Sequence, residues 1–310
     1  MTPSPQLRKR IVSLSVRTLF AVGVLWLLFS VVDPQQVSDT VRSASLSSIL
    51  LALMLVPLHV FLRVVRWNTL LRASGIQEDI RLTTRIVIAG YPFSTTTPGE
   101  IGDVFIRSRF HASGTGGRIP ALVLLDKAVQ GVFILLAGAP AVTFVLTGSP
   151  ATAYACLVIL LLGMSAVALK RRTLLGLRIV RMAADRLGAA EGLQSLATLP
   201  KRAVIKLALM IVATLTIFTL QEYILVNAVA SADVATVWLG YWSVMSAQLL
   251  FPFFIAGLGI RESAHVYFFG LLGVGSSEAM SASLLLFGIN IVIPSLLGLV
   301  VFFFLPPDRP

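Results

Sequence analysis

The chain has 310 residues, 56% of them hydrophobic and 13% charged, with a mean hydropathy of +0.89. That is more apolar side chain than one water-soluble core can cover, which excludes a soluble globular protein and points to an integral membrane protein. The net charge is +11, but the basic residues fall between apolar runs rather than on one polar domain, which argues against nucleic acid as a partner. A lone cysteine, Cys156, excludes an intrachain disulfide.

The elements follow in chain order. Arg8, Lys9 and Arg10 precede an apolar run from Ile11 to Val32. This run is too long for a signal-peptide core and no small-residue cleavage site follows, so it reads as an uncleaved first span. At about 20 apolar residues per crossing, further spans are expected at 46–70, 120–147, 151–169, 203–230 and 278–305, while 86–110 and 237–275 are apolar but interrupted. The connections 33–45, 148–150 and 231–236 hold one basic residue, Arg42. The N-terminus, the stretch from Arg63 to Arg118 and the 170–206 region hold nearly all the others, so the positive-inside rule places both termini in the cytoplasm, in an inner or plasma membrane. Thr173 to Thr198 can form a helix with Leu174, Leu177, Val180 and Leu187 on one face and Arg178, Arg181, Asp185 and Arg186 on the other, lying on the inner leaflet or linking spans in solvent. The expected fold is an all-α polytopic bundle of about six full spans plus two broken, re-entrant helix hairpins, forming a single transmembrane domain over 1–310.

The first interruption reads Tyr91-Pro-Phe-Ser-Thr-Thr-Thr97-Pro98-Gly99-Glu100. A Thr followed three residues later by Glu is a capping-box pattern, and Pro is favoured at the first helical position, so a helix is expected to begin at Pro98 and stop before Gly114. The apolar piece Ile86 to Phe93 before it is too short to cross a bilayer, which predicts a hairpin that enters, breaks at Ser94 to Thr97 and returns. Broken backbone at membrane depth is tolerated only against protein or a water-filled cavity, and the new helix N-terminus would suit a phosphate or other anion there.

The second interruption runs from Phe251-Pro-Phe253 to Gly257-Leu-Gly259-Ile-Arg261-Glu262. Pro252 stands as far from Pro92 as Gly259 does from Gly99, which suggests an internal repeat with halves of about 1–150 and 151–310. The three expected spans between the breaks would place them on opposite faces, giving inverted halves that share one midplane site.

A charge at the bilayer centre costs about 3 kcal/mol on insertion scales, so each ionisable residue needs a partner or a use. Arg63 and Arg66 can snorkel from the inner end of their span. Asp126 and Lys127 read first as paired structural charges, Glu222 as either interhelical glue or a functional group, and Arg261 and Glu262 as residues carried into the cavity by the second break. The three histidines show no metal-ligand spacing, and there is no P-loop, GxSxG or Rossmann fingerprint. No metal, cofactor or catalytic set is expected.

Arg63-Val-Val-Arg66-Trp67, Pro98-Gly99-Glu100-Ile-Gly102-Asp103 with Arg107, Leu125-Asp126-Lys127 and Gly257-Leu-Gly259-Ile-Arg261-Glu262 together resemble the transmembrane, flippase-like region of lysylphosphatidylglycerol synthases and its stand-alone relatives. The family pattern usually has Glu-Arg where this chain has Asp126-Lys127, and often a basic residue in the last span where this one has Gly288 and Asn290. No soluble aminoacyl-transferase domain is expected within these residues. The resemblance implies an inner-membrane protein that moves a polar-headgroup lipid between leaflets, with Thr97, Pro98, Gly99, Glu100, Gly102, Asp103, Arg107, Gly257, Gly259, Arg261 and Glu262 about the substrate and Arg63, Arg66, Asp126, Lys127 and Glu222 in support. Two rival readings stand beside it: a membrane transferase using Glu100, Asp103 or Glu262 as base, and a non-catalytic assembly partner. Expected partners are membrane lipids, with a homo-oligomer or enzymes of lipid or glycan biosynthesis as further candidates.

Overall fold

In hydrocarbon a segment must satisfy its own N–H and C=O groups, so long apolar runs become long helices. The computed structural model describes residues 44–97, 100–111, 118–169, 199–251, 257 and 259–305, with isolated positions at 35, 39 and 42. The expected first span, 11–32, and the amphipathic stretch 173–198 lie outside the described residues.

Helix α1 (Leu46–Met54) and α2 (Val56–Ala73) follow each other with only Leu55 between them. After them come α3 (Ile80–Thr96), α4 (Ile101–Phe110), α5 (Arg118–Thr147), α6 (Pro150–Leu169), α7 (Lys201–Val229), α8 (Val234–Leu250), α9 (Ile260–Leu271) and α10 (Ser276–Phe287). A π turn over Gly288–Val292 joins α10 to α11 (Ile293–Phe303). Four stretches are long and apolar enough to cross a membrane: Leu46–Ala73, Arg118–Thr147, Lys201–Val229 and Ser276–Phe303. They coincide with four of the expected spans, and α6 occupies the place of a fifth. The described residues contain no strand, so the fold is an all-α membrane bundle.

Helix α7 is central, touching α1, α2, α5, α8 and α10. Its Leu207, Ile211, Leu215 and Leu225 are buried with Trp67, Leu70 and Leu71 of α2 and Leu122 of α5. Large apolar side chains such as Phe61, Leu162, Leu209 and Leu297 point outward, as expected of surfaces that face lipid tails.

Both interrupted segments are pairs of short helices packed on each other, α3 with α4 and α8 with α9. The first members are each 17 residues long, about 25 Å at 1.5 Å per residue, which falls short of a hydrocarbon core about 30 Å thick. Each starts on an aspartate cap: Asp79 accepts the Arg81 N–H and Asp233 the Thr236 N–H. The latter bond holds the exposed Asp233 carboxyl below the usual carboxylate range.

Helix α3 runs through Pro92 and stops where Thr95, Thr96 and Thr97 return their hydroxyls to the carbonyls of Pro92, Pro92 and Phe93. The bond to Phe93 supplies a partner to one of the four carbonyls that the helix end would orphan. The next α-helix is described from Ile101, with Glu100 in the left-handed region at φ 57°; the expected start at Pro98 lies outside the described residues. The capping box expected from Thr97 and Glu100 does not form. Thr97 Oγ1 accepts instead from Gly102 N–H at 2.7 Å, and the Glu100 carboxylate is drawn away to Lys127. Gly102 is required by contact, since a Cβ there would sit 2.2 Å from the Phe93 carbonyl oxygen. At the second break Gly257 and Gly259 hold φ of 66° and 82°, conformations that favour glycine, and the Glu262 carboxylate accepts the Gly259 N–H at 2.7 Å.

Long-range packing crosses over. Helix α3 lies along α11, and α8 lies along α5. Helix α3 of the first half is thus seated on α11 of the second, and α8 of the second half on α5 of the first.

Candidate functional site

The polar residues singled out in the sequence gather into two buried clusters. The first sits where α2, α4 and α5 meet beside α3. Asp103 is its hub: Oδ2 accepts from Arg63 Nη2 at 3.1 Å and Oδ1 from Arg107 Nε at 2.9 Å, and Lys127 Nζ lies 3.6 Å from Oδ2. Arg107 stands one turn after Asp103 on α4, so the helix itself presents the pair. Lys127 also pairs with Glu100. Deeper, Arg66 Nη2 donates to Asp126 Oδ2 at 3.0 Å and reaches Gln130 Oε1 at 3.4 Å.

Aromatic rings frame these charges. The Arg107 guanidinium lies 4.4 Å from the Trp67 ring centre and that of Arg63 lies 4.6 Å from Tyr91. Trp67 Nε1 donates to His111 Nε2 at 2.8 Å, which requires that nitrogen to be unprotonated. Asp103 and Arg107 are each 1% exposed, while the Glu100 side chain is 56% exposed, so the cluster opens outward along the Glu100 and Lys127 side.

Four cations, Arg63, Arg66, Arg107 and Lys127, face three carboxylates, Glu100, Asp103 and Asp126. One positive charge is left over. Three guanidinium nitrogens, Arg63 Nε, Arg66 Nη1 and Arg107 Nη1, are buried without a hydrogen-bond partner. Unpaired donors and surplus positive charge in a buried site favour an anion.

The second cluster joins α7, α9 and α10. Arg261 pairs with Glu262, reaches Ser283 Oγ through Nε at 3.3 Å and lies 4.5 Å from the Phe287 ring centre. Glu222 Oε1 is 3.1 Å from His265 Nε2, and His265 Nδ1 is 2.8 Å from the Arg261 carbonyl oxygen. Beside it, Gln221 Nε2 donates to the Ala52 carbonyl at 2.9 Å and its Oε1 accepts from Asn290 Nδ2 at 3.0 Å.

The single shared pocket expected from the two breaks is not one continuous set of contacts. Among the described residues no ion pair joins the clusters. The polar side chains between them are His59, one turn from Arg63, then Asn290 in the π turn, then Gln221 next to Glu222. The helix N-terminus expected to hold an anion has its Gly102 N–H already bound to Thr97. Pro98 and Gly99 lie outside the described residues. A groove of about 630 Å³ between α5, α6 and α8 is lined by Pro140, Phe144, Trp238 and other apolar residues; it contains none of these polar groups and cannot serve a charged headgroup.

The family profile described as Lysylphosphatidylglycerol synthase TM region matches residues 14–298. The chain belongs to this family. Membership together with the crossing-length helices places it in a membrane, among proteins connected with lipid biosynthesis. No curated protein matches the chain. The motifs quoted above fall mainly on the two clusters, and Asn290 sits on the polar path between them.

Sequence reasoning missed Trp67, Tyr91, His111 and Gln130 as members of the first cluster and His265, Gln221, Ser283 and Asn290 as members of the second or its approach. His265 carried a readable signal: it lies four residues after Arg261 in a helix that opens at the second break.

Proposed function

We propose that this family member translocates a lipid with a phosphate-bearing headgroup across the membrane, an inner or plasma membrane with both chain termini in the cytoplasm. The observation that carries the reading is the first cluster's surplus positive charge, with buried unpaired N–H groups on Arg66 and Arg107 behind a mouth formed by Glu100 and Lys127. A headgroup phosphate loses its hydration on crossing hydrocarbon, at a cost of several kcal/mol or more, and a polar groove replaces much of what is lost. Acyl chains can remain in lipid while the headgroup moves. Glu100, half exposed beside Lys127, is placed to meet a cationic part of the headgroup when Lys127 turns aside.

The paired short helices support a re-entrant arrangement, since 17-residue helices stop short of a full crossing and end in polar clusters. The order long helix, two short helices, long helix occurs at Leu46–Thr147 and again at Lys201–Phe303. That recurrence supports two halves of inverted topology.

The test is purified protein in liposomes with fluorescent lipid in both leaflets and a membrane-impermeant quencher outside. Wild type should give quenching beyond the outer-leaflet pool, and Glu100→Ala, Lys127→Ala and Arg261→Ala should each reduce it. Kinetics equal to protein-free vesicles for zwitterionic, anionic and polyprenyl lipids alike would overturn the proposal. A covalently altered lipid would replace it with the transferase reading.

A further inference from the structure

Glu222 and His265 are each 0% exposed, and their hydrogen bonds admit only certain protonation states. The Arg261 carbonyl oxygen can only accept, so the His265 Nδ1 facing it at 2.8 Å must carry hydrogen. His265 Nε2 then faces Glu222 Oε1 at 3.1 Å. A neutral imidazole and an ionised carboxylate would oppose two lone pairs there. One proton has to lie between them, either on Nε2 or on the carboxyl. Net charge agrees with this count. Arg261 and Glu262 cancel, and a further unprotonated carboxylate with its Oε2 unpaired would leave one uncompensated negative charge in a fully buried place.

We propose that Glu222 and His265 form a binding site for one proton, and that this proton is the ion whose uptake and release drives lipid translocation. The coupling rests on the function proposed above; the proton site does not. Release turns the Glu222 to His265 contact from attractive to repulsive and exposes Arg261, which interacts electrostatically with Glu222 as well as with Glu262, to a second carboxylate. Both effects act on the first two turns of α9, next to the second break. Proton occupancy thereby controls the set of that helix and the partner Arg261 takes.

The other ionisable groups facing the pair are few. Helix α9 contributes Arg261 and Glu262, and α8 contributes Tyr241, which interacts with Glu222. Helix α1 has none, and the one on α10, Glu278, stands in its first turn. From α2, His59 lies one step beyond Gln221 and Asn290, while Asp126 and Lys127 of α5 belong to the first cluster. Among the described residues no neighbouring group matches the position of His265 as a partner for Glu222.

Two measurements separate the site from its use. Nitrogen NMR of the full chain with labelled histidine, with His265 assigned through His265→Asn, reads the proton directly. The expected spectrum at neutral pH shows a protonated Nδ1 and an Nε2 that shares a hydrogen with Glu222, and Glu222→Gln restores an ordinary neutral ring. An Nε2 without a shared hydrogen in wild type would overturn the site.

In liposomes carrying a pH gradient and a trapped pH indicator, each unit of gradient should sustain an interleaflet lipid ratio of up to about tenfold for one proton per lipid. Lipid movement should be accompanied by proton movement, and Glu222→Gln should abolish the gradient dependence. Lipid movement indifferent to the gradient in wild type would overturn the coupling. Absence of any lipid movement would defeat the translocase reading and the coupling with it, leaving the nitrogen spectrum to judge the proton site.

Discussion

At the scale of single residues, Asp103 carries the most. It accepts from Arg63 and Arg107 and lies within reach of Lys127, all while buried. Removing one member of such a set leaves the others charged and unpaired, and for buried ion pairs that costs about 3–5 kcal/mol. Asp103→Asn should therefore lower unfolding stability in detergent by about that amount, whereas Glu100→Gln, at the exposed edge of the same network, should cost about 1 kcal/mol or less. Thermal or denaturant unfolding followed by circular dichroism checks both. Much of this cluster was legible in the sequence, because charges inside apolar spans are costly enough to announce themselves. Arg63, Arg66, Asp103, Arg107, Asp126 and Lys127 were all singled out, but which carboxylate meets which cation was not legible. Those pairings depend on how α2, α4 and α5 pack, and sequence spacing reveals only the i to i+4 pair of Asp103 and Arg107. His111 escaped because a lone His carries no pattern of its own until a neighbouring helix supplies its partner, Trp67.

At the scale of elements, the breaks were readable from Pro, Gly and Thr runs, while their caps were not. Thr97 with Glu100 matched the capping-box spacing, yet the glutamate had a stronger partner in Lys127, 27 residues later, and a tertiary ion pair displaced the local bond. What fixes the α3 to α4 junction is steric. Gly102→Ala would push a methyl against the Phe93 carbonyl, and overpacking of this kind costs roughly 1–3 kcal/mol. Gly163→Ala in α6, where nothing lies within 4 Å, should be neutral or gain up to about 1 kcal/mol from helix propensity. Comparing the two variants by thermal unfolding tests whether close helix approach, rather than glycine's flexibility, is what the junction needs.

At the scale of the whole molecule, hydropathy disclosed the helical bundle and four crossing-length helices, because burial of apolar side chains in lipid is encoded residue by residue. The relation between the two polar clusters was not encoded in that way. It arises from the crossing of α3 onto α11 and of α8 onto α5, contacts between residues some 200 positions apart in the first case, as Thr95 and Ser295 show. The inverted arrangement proposed above makes a directional expectation. In a Cys156→Ser background, Glu100→Cys and Glu262→Cys should react with a membrane-impermeant maleimide added from opposite sides of sealed vesicles. Labelling of both from the same side would remove the inverted arrangement.

The exchange of short helices constrains how any motion could proceed. With α3 clasped by α11 and α8 by α5, the two halves are interlocked, and a see-saw of one half against the other would have to pry apart both seams at once. Displacement is far easier in α4 and α9, which hang from the breaks and touch fewer neighbours. Such a molecule should work as a pair of small hinged gates within a fixed frame, so that fastening α3 to α11 with a crosslink would leave it working while fastening α9 to α7 would stop it.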